Sequence, residues 1–328
     1  MSAIKREDWT AFASLSAAGY REAMHNDADT SASPRPLSRR DLLAVSAGSA
    51  AALLGAASVT HADEENATAK PRSGSAVDKG RIKQTVCQWC YKNVPLEELA
   101  AASAEMGLVG MDLIAPSDFP TLTAHGLVCS MTPSHGITKG LNDPANWDAC
   151  LEAMNEAIEA TAAAGFKNVI CFSGNRGPVD DRQGLKNCAE ALRKITPTAE
   201  KAGVVLQMEL LNSKVNHKGY MCDTSPWGVE LVKEVASDNF RLLYDIYHMQ
   251  IMEGDVIRTI ERDHEYFGHY HTAGNPGRHE LDDSQELNYP PIIRAIIDTG
   301  FDGFLGQEFI PKRDPLTSLR EAVELCDV

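Results

Sequence analysis

From residue 82 to the C-terminus, short apolar or β-branched runs alternate with longer amphipathic ones, and this rhythm is nearly unbroken. The runs at 82–87, 109–114, 127–131, 168–172, 204–210, 241–246, 267–271 and 303–307 read as strands, several of them apolar at consecutive positions, as strands buried on both faces are. Between them lie helix patterns. Pro95 opens one over 95–106 and Gly107 stops it, while Trp147, Cys150, Leu151, Met154 and Ile158 recur at helical spacing within 146–164 before Gly165. Leu185, Cys188, Leu192 and Ile195 form a further stripe, and Ile292, Ile293, Ile296 and Ile297 another. Eight strand–helix units in about 250 residues have the size and rhythm of an α/β fold of the (β/α)8 TIM barrel type. An open doubly wound sheet is the alternative. It would carry a glycine-rich phosphate turn after its first strand, and Cys87-Gln88-Trp89-Cys90 is no such turn.

The chain has 328 residues and a net charge of -15, so nucleic acid is excluded as an expected partner. Its first part reads as separate from the fold. Ser38-Arg39-Arg40-Asp41-Leu42-Leu43 is a twin-arginine pattern, followed by an uncharged Ala/Gly/Ser-rich stretch and small residues suited to cleavage after Ala62 or Ala69. Leu42 stands where such signals usually carry Phe. We read 1–62 as a twin-arginine signal segment, 63–80 as a linker and 81–328 as the barrel, which makes the export machinery a partner and the periplasm the expected location. A membrane anchor fits less well, because the segment is short and poor in Leu, Ile and Phe. The eight cysteines fall mostly inside strand or helix patterns, where Cys acts as a small buried hydrophobe; Cys87 and Cys90 alone raise the question of a redox pair.

Four side chains stand at the ends of separate apolar runs: Glu209, Asp245, His271 and Glu308. On parallel barrel strands all four converge at the carboxyl mouth, where barrel enzymes keep their chemistry. Burying an unpaired carboxylate costs several kcal/mol, so Glu209 after Val204-Val205-Leu206-Gln207-Met208 and Asp245 after Leu242-Leu243-Tyr244 call for a cation or a close partner. Three carboxylates and one imidazole suit a single divalent ion, Mn2+ or Mg2+, better than a thiolate-rich zinc site.

The segment Leu243-Tyr244-Asp245-Ile246-Tyr247-His248-Met249-Gln250, then Gly268-His269-Tyr270-His271, Asn275-Pro276-Gly277-Arg278-His279-Glu280 and Glu286-Leu287-Asn288-Tyr289, resembles hydroxypyruvate isomerases of the xylose isomerase-like barrel superfamily. Glu209-Leu210-Leu211-Asn212 and Gly306-Gln307-Glu308-Phe309 resemble that family's strand-five and strand-eight motifs. The resemblance implies a xylose isomerase-like TIM barrel with metal ligation by Glu209, Asp245, His271 and Glu308. There are two departures. Those isomerases tend to carry Gln where this chain has His271, which matches the superfamily's ketose 3-epimerases, and Gln88-Trp89-Cys90-Tyr91 replaces the usual strand-one residues.

The expected reaction is isomerisation of a small hydroxy-keto acid or sugar, hydroxypyruvate to tartronate semialdehyde in type, through an enediolate. Glu209 and Glu308 are assigned as the acid–base pair and Asp245 as a plain ligand. His248 is expected to project from the loop at the strand end and donate to a substrate oxygen, or else to prop Asp245. Arg278 is expected to grip a substrate carboxylate, or else to pair with Glu280 or Asp282. His135 and Trp89 are expected near the mouth, and His269 is expected to face the helix layer, away from His271. The alternatives are a ketose or keto-glycoside 3-epimerase and a non-catalytic periplasmic binding protein. A homo-oligomer is left open.

Overall fold

The computed structural model describes residues 74–328; the twin-arginine segment and the linker as far as residue 73 lie outside the described residues. Eight parallel strands follow the expected order: β1 Lys83–Cys87, β2 Gly110–Asp112, β3 Val128–Met131, β4 Asn168–Cys171, β5 Val205–Leu210, β6 Phe240–Asp245, β7 Phe267–Thr272 and β8 Phe304–Gln307. The hydrogen-bonded order is β3-β2-β1-β8-β7-β6-β5-β4. A parallel bridge from Thr132 to Val169 joins the two ends, with Thr132 N–H on Asn168 O and Ile170 N–H on Thr132 O, so the sheet curls into a barrel. The open-sheet alternative is thereby excluded.

Nine α-helices accompany the strands among the described residues: α1 Leu96–Met106, α2 Phe119–Ala124, α3 Trp147–Ala163, α4 Asp181–Ala202, α5 Ser225–Val235, α6 Ile246–Met252, α7 Val256–Asp263, α8 Tyr289–Asp298 and α9 Pro315–Cys326. Their ends follow local chemistry. Glu97 and Glu98 face the positive end of α1, and Gly107, at φ 90°, ends that helix in a left-handed conformation that glycine takes without penalty. The side chains of Asp180, Asp245 and Asp314 accept N–H bonds at the starts of α4, α6 and α9.

One feature departs from expectation: Gln88–Tyr91 forms a 3-10 turn directly after β1. All eight cysteines are buried free thiols, as their apolar settings lead one to expect. At the opposite end of the strands, the Asp327 carboxylate accepts N–H bonds from Asp78 and Lys79, each at 2.6 Å, and from Gly80 at 2.8 Å. That clasp fixes the chain just before β1 against the end of α9. None of the described helices is long and apolar enough to cross a membrane.

Candidate active site at the carboxyl mouth

Successive side chains on a strand alternate between barrel interior and helix layer, so residues two apart share a face. The interior row therefore runs Gln207 then Glu209 on β5, and His269 then His271 on β7. Glu209, Asp245, His271 and Glu308 all have zero exposure, and each offers a ligand atom within 4.8 Å of the others. His271 Nδ1 lies 2.9 Å from Glu308 Oε2, in a direction that makes no hydrogen bond, and 3.5 Å from Glu209 Oε1. Both carboxylate oxygens of Glu209, Asp245 Oδ2 and His271 Nδ1 are buried without a hydrogen-bond partner.

The three carboxylates hold their protons unequally. Burial raises Glu209 above the ordinary range, and the charge of Glu308 adds to the rise. Asp245 is pushed up to about 8 by burial and by Glu308 and Glu209, against the pull of Arg278. Glu308 is held well below its usual range although burial works the other way. The cationic His271 and Arg278 and a hydrogen bond from Trp89 outweigh that burial. His271 rises in turn: burial disfavours its charge, but Cys87, Glu308 and Asp112 more than compensate.

Arg278 does not make the expected pair with Glu280 or Asp282. Its Nη2 lies 2.7 Å from Glu308 Oε2 and 3.7 Å from Asp245 Oδ2, so its acidic partners are site residues, whereas Glu280 and Asp282 are engaged elsewhere. Glu280 accepts backbone N–H bonds from Lys312 and Arg313, and Asp282 binds Ser284. The guanidinium sits over Trp89 at 5.0 Å and Tyr247 at 5.6 Å, a stacked cation–π arrangement.

His248 lies within α6 rather than on a loop, because Asp245 caps that helix by accepting the His248 N–H at 2.9 Å. The backbone thus props Asp245 while the side chain does something else. His248 Nδ1 faces the Asn212 backbone N–H at 3.2 Å and its amide nitrogen at 2.6 Å, which leaves the proton on Nε2. That Nε2 is buried without a hydrogen bond, 3.8 Å from Asp245 Oδ2. Burial and the nearby Arg278 keep this imidazole neutral by lowering it well below its usual value.

Three residues were missed or misplaced by sequence reasoning. His269 faces the interior, as a residue two before His271 must, and its Nε2 lies 2.6 Å from Asp112 Oδ2. Asp112, at the end of β2, also meets His271 Nε2 at 3.0 Å; Leu113 and Ile114 carry the apolar run past it, so the sequence does not mark it as a strand end. Trp89 does more than line the mouth, since its Nε1–H donates to Glu308 Oε1 at 2.8 Å. His135 sits in the loop after β3, where burial lowers it to about 4, and it contacts Gly136 O and the Phe172 N–H.

Residues 96–327 match the family model described as xylose isomerase-like TIM barrel. The chain belongs to that family. It is 38% identical over 234 residues to a 2-oxo-tetronate isomerase of Cupriavidus necator, covering 66% of this chain and 87% of the relative. It is 26% identical over 234 residues to the hydroxypyruvate isomerase of Escherichia coli, covering 66% and 89%. Among solved structures, the apo 3-keto-D-glucoside 4-epimerase of E. coli superposes with a TM-score of 0.64 at 19% identity over 75% of this chain and 98% of that one, a likeness of fold alone. With these relatives and this barrel, the chain is an isomerase.

Proposed function

We propose that the protein is a metal-dependent isomerase of small hydroxy-keto acids, hydroxypyruvate isomerase-like in its reaction, with Glu209, Asp245, His271 and Glu308 as the ligands of one Mn2+ or Mg2+. The supporting observation is the set of buried ligand atoms on Glu209, Asp245 and His271 that make no hydrogen bond within the protein. A buried anionic oxygen left alone costs several kcal/mol, and a hard divalent cation suits an oxygen-rich set with one imidazole. When bound, such a cation supplies charge stabilisation for negative oxygens on adjacent substrate carbons.

The side chains divide the remaining work. Glu308, the carboxylate held ionised by His271 and Arg278, removes the hydrogen from the hydroxymethyl carbon of hydroxypyruvate. The electron pair moves into the carbon–carbon bond and gives an enediolate. Glu209, whose raised proton affinity lets it carry one, delivers a proton to the former carbonyl carbon, and the hydroxyl proton passes to the neighbouring oxygen, so the product is tartronate semialdehyde with no net gain or loss of atoms; exchange with solvent then returns the proton from Glu308 to Glu209. The unequal proton affinities of the two carboxylates fit this division. The Nε2–H of His248 donates to a substrate oxygen, and Arg278, stacked at the mouth, recognises the substrate carboxylate once a cation balances Glu308 and Asp245.

His271 favours one second reading, a ketose or keto-glycoside 3-epimerase, in which the same two carboxylates exchange a proton on a single carbon. Incubation of the Mn2+-loaded protein in deuterated water with hydroxypyruvate and with a panel of ketoses separates the two. We expect solvent deuterium in the product from hydroxypyruvate, and about 10²–10⁴-fold less exchange with Glu308→Gln. Exchange with ketoses alone would replace the first reading by the second, and no exchange with either would sink both. The twin-arginine pattern at Arg39-Arg40 further leads us to propose export to the periplasm. Fractionation of cells expressing the full chain and an Arg39→Lys, Arg40→Lys variant tests this; equal cytoplasmic retention of both would overturn it.

A further inference from the structure

We propose that Asp112 is a positioning residue for the metal site: its carboxylate captures the Nε2–H of His271 and so fixes the imidazole with the Nδ1 lone pair turned toward Glu209 and Glu308. This rests on the metal-site reading above and adds to it a residue on a fifth strand.

The argument starts from what a carboxylate can do. It only accepts, so an imidazole nitrogen hydrogen-bonded to an ionised carboxylate must carry the proton. Asp112 Oδ2 lies 3.0 Å from His271 Nε2 and 2.6 Å from His269 Nε2, and its Oδ1 accepts the Ser130 hydroxyl. Ligation of a cation requires the neutral imidazole, which has one N–H, so a proton held on Nε2 leaves Nδ1 of His271 as the lone-pair nitrogen for that cation. That nitrogen is the one without a hydrogen bond, facing the carboxylates of Glu308 and Glu209. Cys87 Sγ also approaches His271 Nε2, at 3.7 Å, but a thiol is a weak partner beside a carboxylate.

The neighbouring strand leaves room for this contact. A Cβ at Gly306 on β8 would come within 2.8 Å of both Asp112 Oδ2 and His271 Cδ2. Any larger residue there would press on the pair from the side.

Asp112, His269 and His271 are close enough to be read instead as a second ion site. Hydrogen bonding separates the cases: both oxygens of Asp112 are already engaged by Ser130 and the two histidines, whereas the atoms above have no such partners. A carboxylate that holds the far nitrogen of a ligating histidine is typically worth 10–100-fold in metal affinity.

The test is Mn2+ affinity, read from the electron paramagnetic resonance signal of the free ion, on wild type, Asp112→Asn and Gly306→Ala, each checked for folding by circular dichroism. Both variants are expected to bind Mn2+ about 10–100-fold more weakly, although Gly306→Ala removes no charge. A merely structural Asp112 would lower the melting temperature and leave the affinity of the folded protein unchanged. A second readout uses 15N-histidine spectra of the Cd2+-loaded wild type, where His271 should keep a slowly exchanging proton on Nε2 and have none on Nδ1. The proposal is overturned if the folded variants bind as tightly as wild type, or if the spectra place the cation on Nε2. Should Asp112→Asn fail to fold, Gly306→Ala and the wild-type spectra still decide. A wild type that binds no Mn2+ removes the metal reading itself, an outcome distinct from tight binding shared by wild type and variants.

Discussion

Replacing Arg278 with Met should destabilise the metal-free protein severely and the metal-loaded protein much less. The guanidinium lies 2.7 Å from Glu308 Oε2 and 3.7 Å from Asp245 Oδ2, with all three residues at most 2% exposed. Removing one member of a buried ion pair leaves its partner desolvated and alone, at a cost of about 3–5 kcal/mol. Met keeps most of the apolar stem between Trp89 and Tyr247, so the loss is chiefly one of charge. For a barrel of this size, about 2–4 °C of melting temperature per kcal/mol puts the deficit at roughly 6–20 °C. Calorimetry in chelator would measure it, with part of the loss softened because Asp245, freed from the pull of Arg278, takes up a proton more readily. Saturating Mn2+ supplies the missing positive charge, and the gap should shrink to the cation–π share, about 2 kcal/mol or less. An equal gap with and without Mn2+ would refute the idea that Arg278 and a cation compensate the same carboxylates.

Two further outcomes follow from the same chemistry. In the metal-free wild type, Asp245 at about 8, and Glu209 raised with it, retain protons that the unfolded chain releases near pH 4, so stability should fall as pH rises from about 4 to about 8. Glu308 and Asp112 are depressed and act oppositely, their contribution being lost as pH falls below about 4; urea midpoints across pH 3–9 would show the carboxylates' combined contribution greatest near pH 4, and Mn2+ affinity should climb over the upper window. Asp327→Ala deprives three backbone N–H groups of their acceptor and should cost about 1–3 kcal/mol, with faster proteolysis near residues 74–80; an unchanged denaturation midpoint would count against the clasp.

The barrel was legible because period-two and period-3.6 patterns are written in apolar residues, and β5 and β6 needed little else to be placed. Glu209 and Asp245 announced themselves as carboxylates at the ends of apolar runs. Asp112 lacks that mark, because Leu113 and Ile114 continue the apolar run and place it mid-strand, whereas the strand stops at Asp112. The expectation for His269 misapplied the alternation, since residues 269 and 271 share a face. His248 was assigned to a loop because nothing in its neighbours shows that Asp245 both ends a strand and caps a helix. The Trp89 bond to Glu308 joins positions 219 apart, and the placement of Arg278 depends on charge balance among several strands; neither is encoded locally.

The clasp at Asp327 has a topological corollary. Because it grips the chain where β1 is about to begin, anything attached ahead of residue 74 joins the barrel at the rim farthest from Glu209, Asp245, His271 and Glu308. A substitution that loosens the clasp should therefore be felt in stability while the pocket formed by those four side chains keeps its shape.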